Sequence, residues 1–289
     1  MKKCKNVLMH LLTVLLVLIL LVAGVCGYFV FLYPRDQDFV ETYYQVQSDK
    51  LTSNLRIVLL SDLHLREFGE KNSELVGRIQ DLQPDLIAIV GDMNDKEIDD
   101  MHVVTDLCAQ LVEIAPVYYV PGNHEWPKIV FAGSTLAKDL EEIGVHFLID
   151  RYETVTIGSN TILVGGIAEA PASYEKYASA FLEDFAAQSG FKLLLVHYPE
   201  YYLEGSGALV GKSIDMTLCG HAHGGLIRLP VLGALYTPDQ GFLPDLTEGV
   251  QYIAGTKVII SRGLGDGVDK VIPRINNPPE LVIIDANWY

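Results

Sequence analysis

Positive charge is scarce in this chain. Lys plus Arg number 21 against 37 Asp plus Glu, a formal net charge of −16. So acidic a protein makes a poor nucleic-acid backbone binder, because it repels the phosphates it would have to neutralise. Cysteine is equally sparse. There are four in 289 residues (Cys4, Cys26, Cys108, Cys219), none in a CxxC, which excludes disulfide scaffolds, zinc ribbons and thioredoxin-like redox sites. Cys108 and Cys219 are left open between two buried thiols and a disulfide. No N-x-[ST] sequon, GxSxG nucleophile elbow, HExxH or PCxxC occurs. The Gly205–Ser213 stretch has the look of a P-loop, but the motif's first Gly falls on Ser206. No internal repeat is found. With 49% apolar and 20% charged residues, the composition is globular rather than disordered.

Charge is missing altogether from one long stretch. No Asp, Glu, Lys or Arg occurs from Asn6 to Pro34. About 20 apolar residues cross a bilayer as a helix, so residues 1–34 are expected to be a short cytoplasmic stub and a transmembrane signal-anchor. Lys2, Lys3 and Lys5 precede the run, while Asp36, Asp38 and Glu41 follow it. The positive-inside rule then places everything after Pro34 outside the cytoplasm. A cleaved signal peptide is the competing reading, but the run is long for one and no A-x-A site follows. Residues 35–54 are polar and read as a linker with room for one strand. The folded domain is expected over 55–289.

Within that domain, short β-branched runs alternate with helical patterns. Leu55–Leu60, Leu86–Val90, Val117–Val120, Thr161–Val164, Phe191–Val196, Asp215–Leu218, Lys257–Ile260 and Leu281–Ile284 read as buried strands. Leu75, Ile79 and Leu82 share one helical face, as do Ile98, Met101, Leu107, Leu111 and Ile114. The first half suggests βαβ units and the second is richer in strands, so the expected class is mixed α/β with two packed sheets.

Five expected strands end in metal-ligand residues. The segments are Asp62-Leu63-His64, Gly91-Asp92-Met93-Asn94-Asp95, Gly122-Asn123-His124-Glu125, His197, and Gly220-His221-Ala222-His223-Gly224. Ligands bind at the carboxyl ends of strands in α/β sheets, so the five loops can meet at one site. Imidazole and carboxylate together suit Mn, Fe, Zn and related divalent ions. Asp62, His64, Asp92, Asn123, His197, His221 and His223 are too many for one four-coordinate ion. They suit two ions about 3.5–4 Å apart that clamp the attacking and leaving oxygens of an in-line displacement. His10, His102 and His146 lie elsewhere and are expected to be structural or surface residues.

The ordered set D-x-H, G-D-x-x-D, G-N-H-E, single His and G-H-x-H resembles the calcineurin-like metallophosphoesterase superfamily. The stretches GHAHGGLIRLP, TPDQGF and SRGLGDG…PRINNPPEL resemble its membrane-associated bacterial YkuE/YaeI-like branch. The resemblance implies a four-layer αββα sandwich behind the N-terminal helix. It implies two divalent metal ions per chain, manganese or a similar ion. Asp62, His64 and His223 would hold the first ion, Asn123, His197 and His221 the second, and Asp92 would bridge them. A metal-bridging hydroxide would attack phosphorus in line. His124 would contact the phosphate and act as general acid, and Asp95 would orient His124. Leu226 and Arg66 stand where the branch often has Gln and Gly. Arg66, Arg228 and Arg262 are candidate phosphate contacts by charge.

The implied activity is hydrolysis of a phosphodiester or phosphomonoester. A pyrophosphohydrolase acting on a nucleotide-linked or lipid-linked envelope precursor is the alternative. A membrane-tethered metal-binding protein without catalysis is disfavoured, because no ligand of the set is missing. The expected partner is a phosphorylated small molecule or lipid-linked phosphate, reached from the cell membrane. The apolar-rich loop Leu226–Leu246 is open between a lip near the membrane and a packed cover.

Overall fold

A computed structural model describes residues 2–31, 38–168, 170–203, 207–266 and 273–288. Two six-stranded sheets dominate. The first contains β1 (Val40–Gln47), β2 (Leu55–Leu60), β3 (Leu86–Val90), β4 (Val117–Val120), β5 (His146–Phe147) and β16 (Glu280–Asn287) in the order β1-β16-β2-β3-β4-β5. The second contains β6 (Arg151–Ile157), β7 (Asn160–Ile167), β8 (Phe191–Val196), β9 (Met216–Cys219), β14 (Gly249–Ile253) and β15 (Thr256–Ile260) in the order β14-β15-β9-β8-β7-β6. Two short hairpins lie between β9 and β14: β10 (Arg228–Leu229) with β11 (Gly233–Ala234), and β12 (Tyr236–Thr237) with β13 (Gly241–Phe242).

The centre of each sheet is parallel. β2, β3 and β4 run together, as do β7, β8, β9 and β15. Every residue of β3, β4, β8 and β9 is buried, because parallel strands are covered on both faces. Ile57, Leu59, Ala88 and Val90 of one sheet pack with Val164, Leu193, Leu195 and Leu218 of the other to form the inner core.

Two outer cores complete a helix–sheet–sheet–helix sandwich. α2 (Ser73–Leu82), α3 (His102–Leu111) and α5 (Leu136–Ile143) bury apolar residues against the first sheet. α4 (Trp126–Phe131) follows β4. On the far side, α7 (Ser179–Ala187) buries Leu182 and Phe185 against the second sheet, just after the short α6 (Tyr174–Tyr177).

β1 takes up the one strand for which the 35–54 stretch left room, and it pairs in parallel with β16 along its whole length. Several expectations change. β6 carries no strong apolar alternation and is recognisable only through its pairing with β7. The α2 face is as expected, but α3 starts at His102 and leaves Ile98 outside it, 42% exposed. Cys108 and Cys219 are free, buried thiols in opposite outer cores, so two sheets separate them and no disulfide joins them.

The N-terminal helix α1 runs Lys2–Phe31. Among the described residues no helix is long and apolar enough to cross a membrane. Part of the expected signal-anchor, Met1 and residues 32–34, lies outside the described residues.

Candidate metal centre

β2, β3, β4, β8 and β9 each end in a loop that delivers site residues, and backbone hydrogen bonds stitch these loops together. The Asp62 N–H donates to the Gly91 carbonyl at 2.9 Å, His64 N–H to Asp92 O at 3.1 Å, and Gly220 N–H to His197 O at 3.0 Å. The loops are strained where they carry the expected ligands. Asp62, His64, Asp92, His221 and His223 have φ of 51°, 47°, 52°, 68° and 48°. Non-glycine residues adopt that left-handed region at a cost, and such strain gathers at functional sites. Gly122 permits the closest approach, since a Cβ there would lie 2.2 Å from Asp92 Oδ1.

Three groups of buried or half-buried side chains offer donors within 4.8 Å of one another: Asp62 with His64 and His223, Asp92 with His197 and His221, and His64 with Asp95 and His124. Asn123 joins the second group through its Oδ1, 3.0 Å from His197 Nε2. All seven expected ligands, together with His124 and Asp95, therefore converge.

Three of the imidazoles are held from behind. His197 Nδ1–H donates to the Val90 carbonyl at 2.7 Å, leaving Nε2 near Asp92 Oδ2 at 3.2 Å and His221 Nδ1 at 3.1 Å. His64 Nδ1 meets Asp95 Oδ1 at 2.7 Å, leaving Nε2 3.3 Å from His223 Nε2. His221 Nε2 meets Asp239 Oδ2 at 2.7 Å. A bond to one ring nitrogen sets the tautomer and leaves the other nitrogen's lone pair for a ligand. Paired nitrogens about 3 Å apart oppose each other unless a proton or cation lies between them. His223 Nδ1 is buried with no hydrogen-bond partner among the described residues. These features, with two carboxylates in a buried site, fit a divalent cation.

Asp92 and His197 hold each other charged, so an ion bound there would take the place of the His197 proton. Burial opposes ionisation of Asp92, yet the His197 charge beside it holds its carboxyl well below the usual range. Burial likewise opposes a charged His197, but Asp92 lifts it to about 10. Burial and the neighbouring His64 keep His223 well below its usual value, which favours a neutral imidazole.

Asp95 is placed differently from the expectation. Its short bond is to His64, and it stands 4.0 Å from His124 Nδ1. His124 Nδ1 instead accepts the Lys96 backbone N–H at 3.0 Å. The three arginines are also engaged. Arg66 pairs with Asp266 at 3.1 Å and lies over the Phe68 ring. Arg228 pairs with Glu248, and Arg262 with Glu280 at 3.1 Å. Their guanidinium groups serve the protein's own carboxylates.

Three further residues support the site. Glu125 is fully buried, and its carboxylate accepts N–H bonds from Asp92, Met93, Asn94 and Gly122 at 2.6–3.0 Å. Arg274 is 3% exposed and donates to the carbonyls of Gly265, Arg262 and His223. Asp239 backs His221. Glu125 was visible beside His124 in the sequence. Arg274 and Asp239 sit in the PRINNPPEL and TPDQGF stretches, where no ligand pattern marked them.

The calcineurin-like phosphoesterase profile matches residues 55–225, more than half of the chain. The chain belongs to the calcineurin-like phosphoesterase family. Phosphodiesterase YaeI of Escherichia coli is 23% identical over 248 residues, covering 80% of this chain and 81% of that protein. The uncharacterized metallophosphoesterase YkuE of Bacillus subtilis is 27% identical, covering 79% and 77%. A Danio rerio protein described as a transmembrane protein with a metallophosphoesterase domain is 27% identical, covering 64% of this chain and 44% of its own length. This family member is thus a metal-dependent hydrolase of phosphoester bonds.

Proposed function

We propose that this phosphoesterase cleaves phosphodiesters or phosphomonoesters with two divalent ions and works at a membrane surface. The observation that carries the reading is the meeting of two ligand groups, Asp62–His64–His223 and Asp92–His197–His221, at the ends of four strands, β2, β3, β8 and β9. In this reading Asp62, His64 and His223 hold one ion. Asn123, His197 and His221 hold the other, and Asp92 is shared. Bound ions would supply positive charge that stabilises the developing phosphate charge and lowers the pKa of water.

His124 complements that charge. The Lys96 N–H occupies Nδ1, so the neutral ring carries its proton on Nε2. Burial holds His124 below its ordinary value, which favours this neutral form. Nε2 lies 3.8 Å from Asp92 Oδ2 and so faces the same centre. From there its N–H can bond a phosphate oxygen or pass the proton to the leaving oxygen. Asp95, bonded to His64, positions that ligand rather than His124.

The test is turnover of bis-p-nitrophenyl phosphate by the full chain in detergent with Mn²⁺, beside a panel of monoesters and pyrophosphates. Chelator-sensitive hydrolysis is expected. His124→Ala should lose roughly 10²–10⁴-fold in kcat, the usual contribution of a positioned acid. A variant as active as the parent would remove His124 from the chemistry.

Membrane attachment rests on α1. From Met9 to Val25 its large apolar side chains are 50% to 64% exposed, a surface that water does not tolerate for long. The Danio rerio relative is described as a transmembrane protein. We place the phosphoesterase domain, residues 55–289 extended by β1, outside the cytoplasm on the strength of Lys2, Lys3 and Lys5. A C-terminal alkaline phosphatase fusion should then be active and a C-terminal green fluorescent protein fusion dark. The opposite pattern would reverse the orientation.

A further inference from the structure

We infer that Asp239 is a positioning residue for the metal centre, holding His221 with its Nδ1 aimed at the second ion. The inference rests on the reading of His221 as a ligand.

Asp239 lies in the turn between β12 and β13. Its Oδ2 is 2.7 Å from His221 Nε2. That contact takes the Nε2 proton and leaves the Nδ1 lone pair facing His197 Nε2, 3.1 Å away. His197 and His64 are fixed in the same manner, by the Val90 carbonyl and by Asp95. His221 would differ in offering the other nitrogen to the ion, so a partner on Nε2 is what would select the fitting tautomer.

The turn is built to present this carboxylate. Gln240 Nε2 donates to Glu200 Oε1 at 2.7 Å and to the Leu246 carbonyl at 2.8 Å, and Gln240 Oε1 accepts the Leu246 N–H at 3.0 Å. The buried Thr237 hydroxyl accepts the Gln240 N–H at 3.3 Å, and Gly241 has φ 77°. The neighbours of Asp239 are thus tied to the body of the domain, which fixes where its carboxylate points. Its side chain is 52% exposed.

The test is Mn²⁺ binding by calorimetry and by metal content, for the full chain and for Asp239→Ala, Asp239→Asn and Asp239→Glu. Partners behind metal ligands typically contribute roughly 10–100-fold in affinity. Asp239→Ala should weaken one of the two ions by that factor and leave the other unchanged. Asp239→Glu should recover part of the loss. Nitrogen-15 shifts of the metal-free protein should show the His221 proton leaving Nε2 in Asp239→Ala. Asp239→Asn keeps an acceptor oxygen for the Nε2 proton and should stay nearer the parent. If Asp239→Ala does not fold, Asp239→Leu, of similar size but without an acceptor, must show the weaker ion. Two ions bound with parent affinity in Asp239→Ala or Asp239→Leu would overturn the inference alone. A parent chain that binds no ion would overturn the ligand reading beneath it.

Discussion

Asp92→Asn is expected to abolish phosphoester turnover while leaving the fold intact. The substitution keeps the side chain's shape. An amide oxygen can still accept the His124 backbone N–H that Asp92 Oδ1 now accepts at 2.8 Å, so the loop should keep its course. What is lost is the negative charge at the point where His197, His64 and His124 all face one carboxylate. Uncompensated positive charge buried there disfavours a cation by several kcal/mol in a medium poorer than water at screening. Metal affinity should fall by at least about 100-fold, at or beyond the upper end of what outer partners contribute. The measurement is metal content by mass spectrometry beside kcat/KM, with circular dichroism to show the fold. A variant that keeps two ions and parental turnover would take Asp92 out of the site.

Glu125→Ala should produce the largest loss of stability among single changes near the site. The carboxylate accepts four backbone N–H bonds and lies 3.2 Å from the Tyr119 hydroxyl, with no exposure to solvent. Alanine would leave those donors buried and unpaired. Each such group costs about 1–3 kcal/mol, so a total of roughly 4 kcal/mol or more is expected, a size that marks a broken buried network. In a domain of this length that corresponds to a drop in Tm of roughly 10 °C. Burial pushes the Glu125 carboxyl up and the Asp92 charge adds to this, while the N–H donors pull it down. Glu125→Gln should therefore fall between parent and alanine. It keeps one acceptor oxygen but turns an NH₂ toward backbone donors. Thermal unfolding checks both variants. A shift under about 2 °C for alanine would show that the two loops hold together without this side chain.

Much of the site was legible in the sequence, and the reason is local. Asp62 and His64 follow β2 within four residues, Asp92 and Asp95 follow β3, and Asn123 and His124 follow β4. Apolar runs mark the strands, polar residues mark their ends, and the candidate ligands sit at the junction. The central strands were readable for the same reason: burial on both faces demands near-continuous apolar runs, as in Leu86–Val90. Strands with one face toward solvent were not. β1 and β6 carry mixed sequences, Val-Glu-Thr-Tyr-Tyr-Gln-Val-Gln and Arg-Tyr-Glu-Thr-Val-Thr-Ile, and only β16 and β7 beside them make them strands.

What the amino-acid sequence determined by itself was the set of candidate donors and their attachment to strand ends, because both depend on residues close together along the chain. Tertiary structure alone decided who partners whom. Asp95 bonds to His64, 31 residues away, rather than to His124. Asp239 reaches back 18 residues to His221 through a hairpin that no ligand spacing marked. Arg274 is 51 residues from the His223 carbonyl it serves. Arg228 and Arg262, plausible phosphate contacts by charge, are taken up by Glu248 and Glu280. Hydrogen bonds act over about 3 Å of space and are indifferent to separation along the chain. Which side chains share that space is settled only when two sheets pack face to face and bring five loops to one edge.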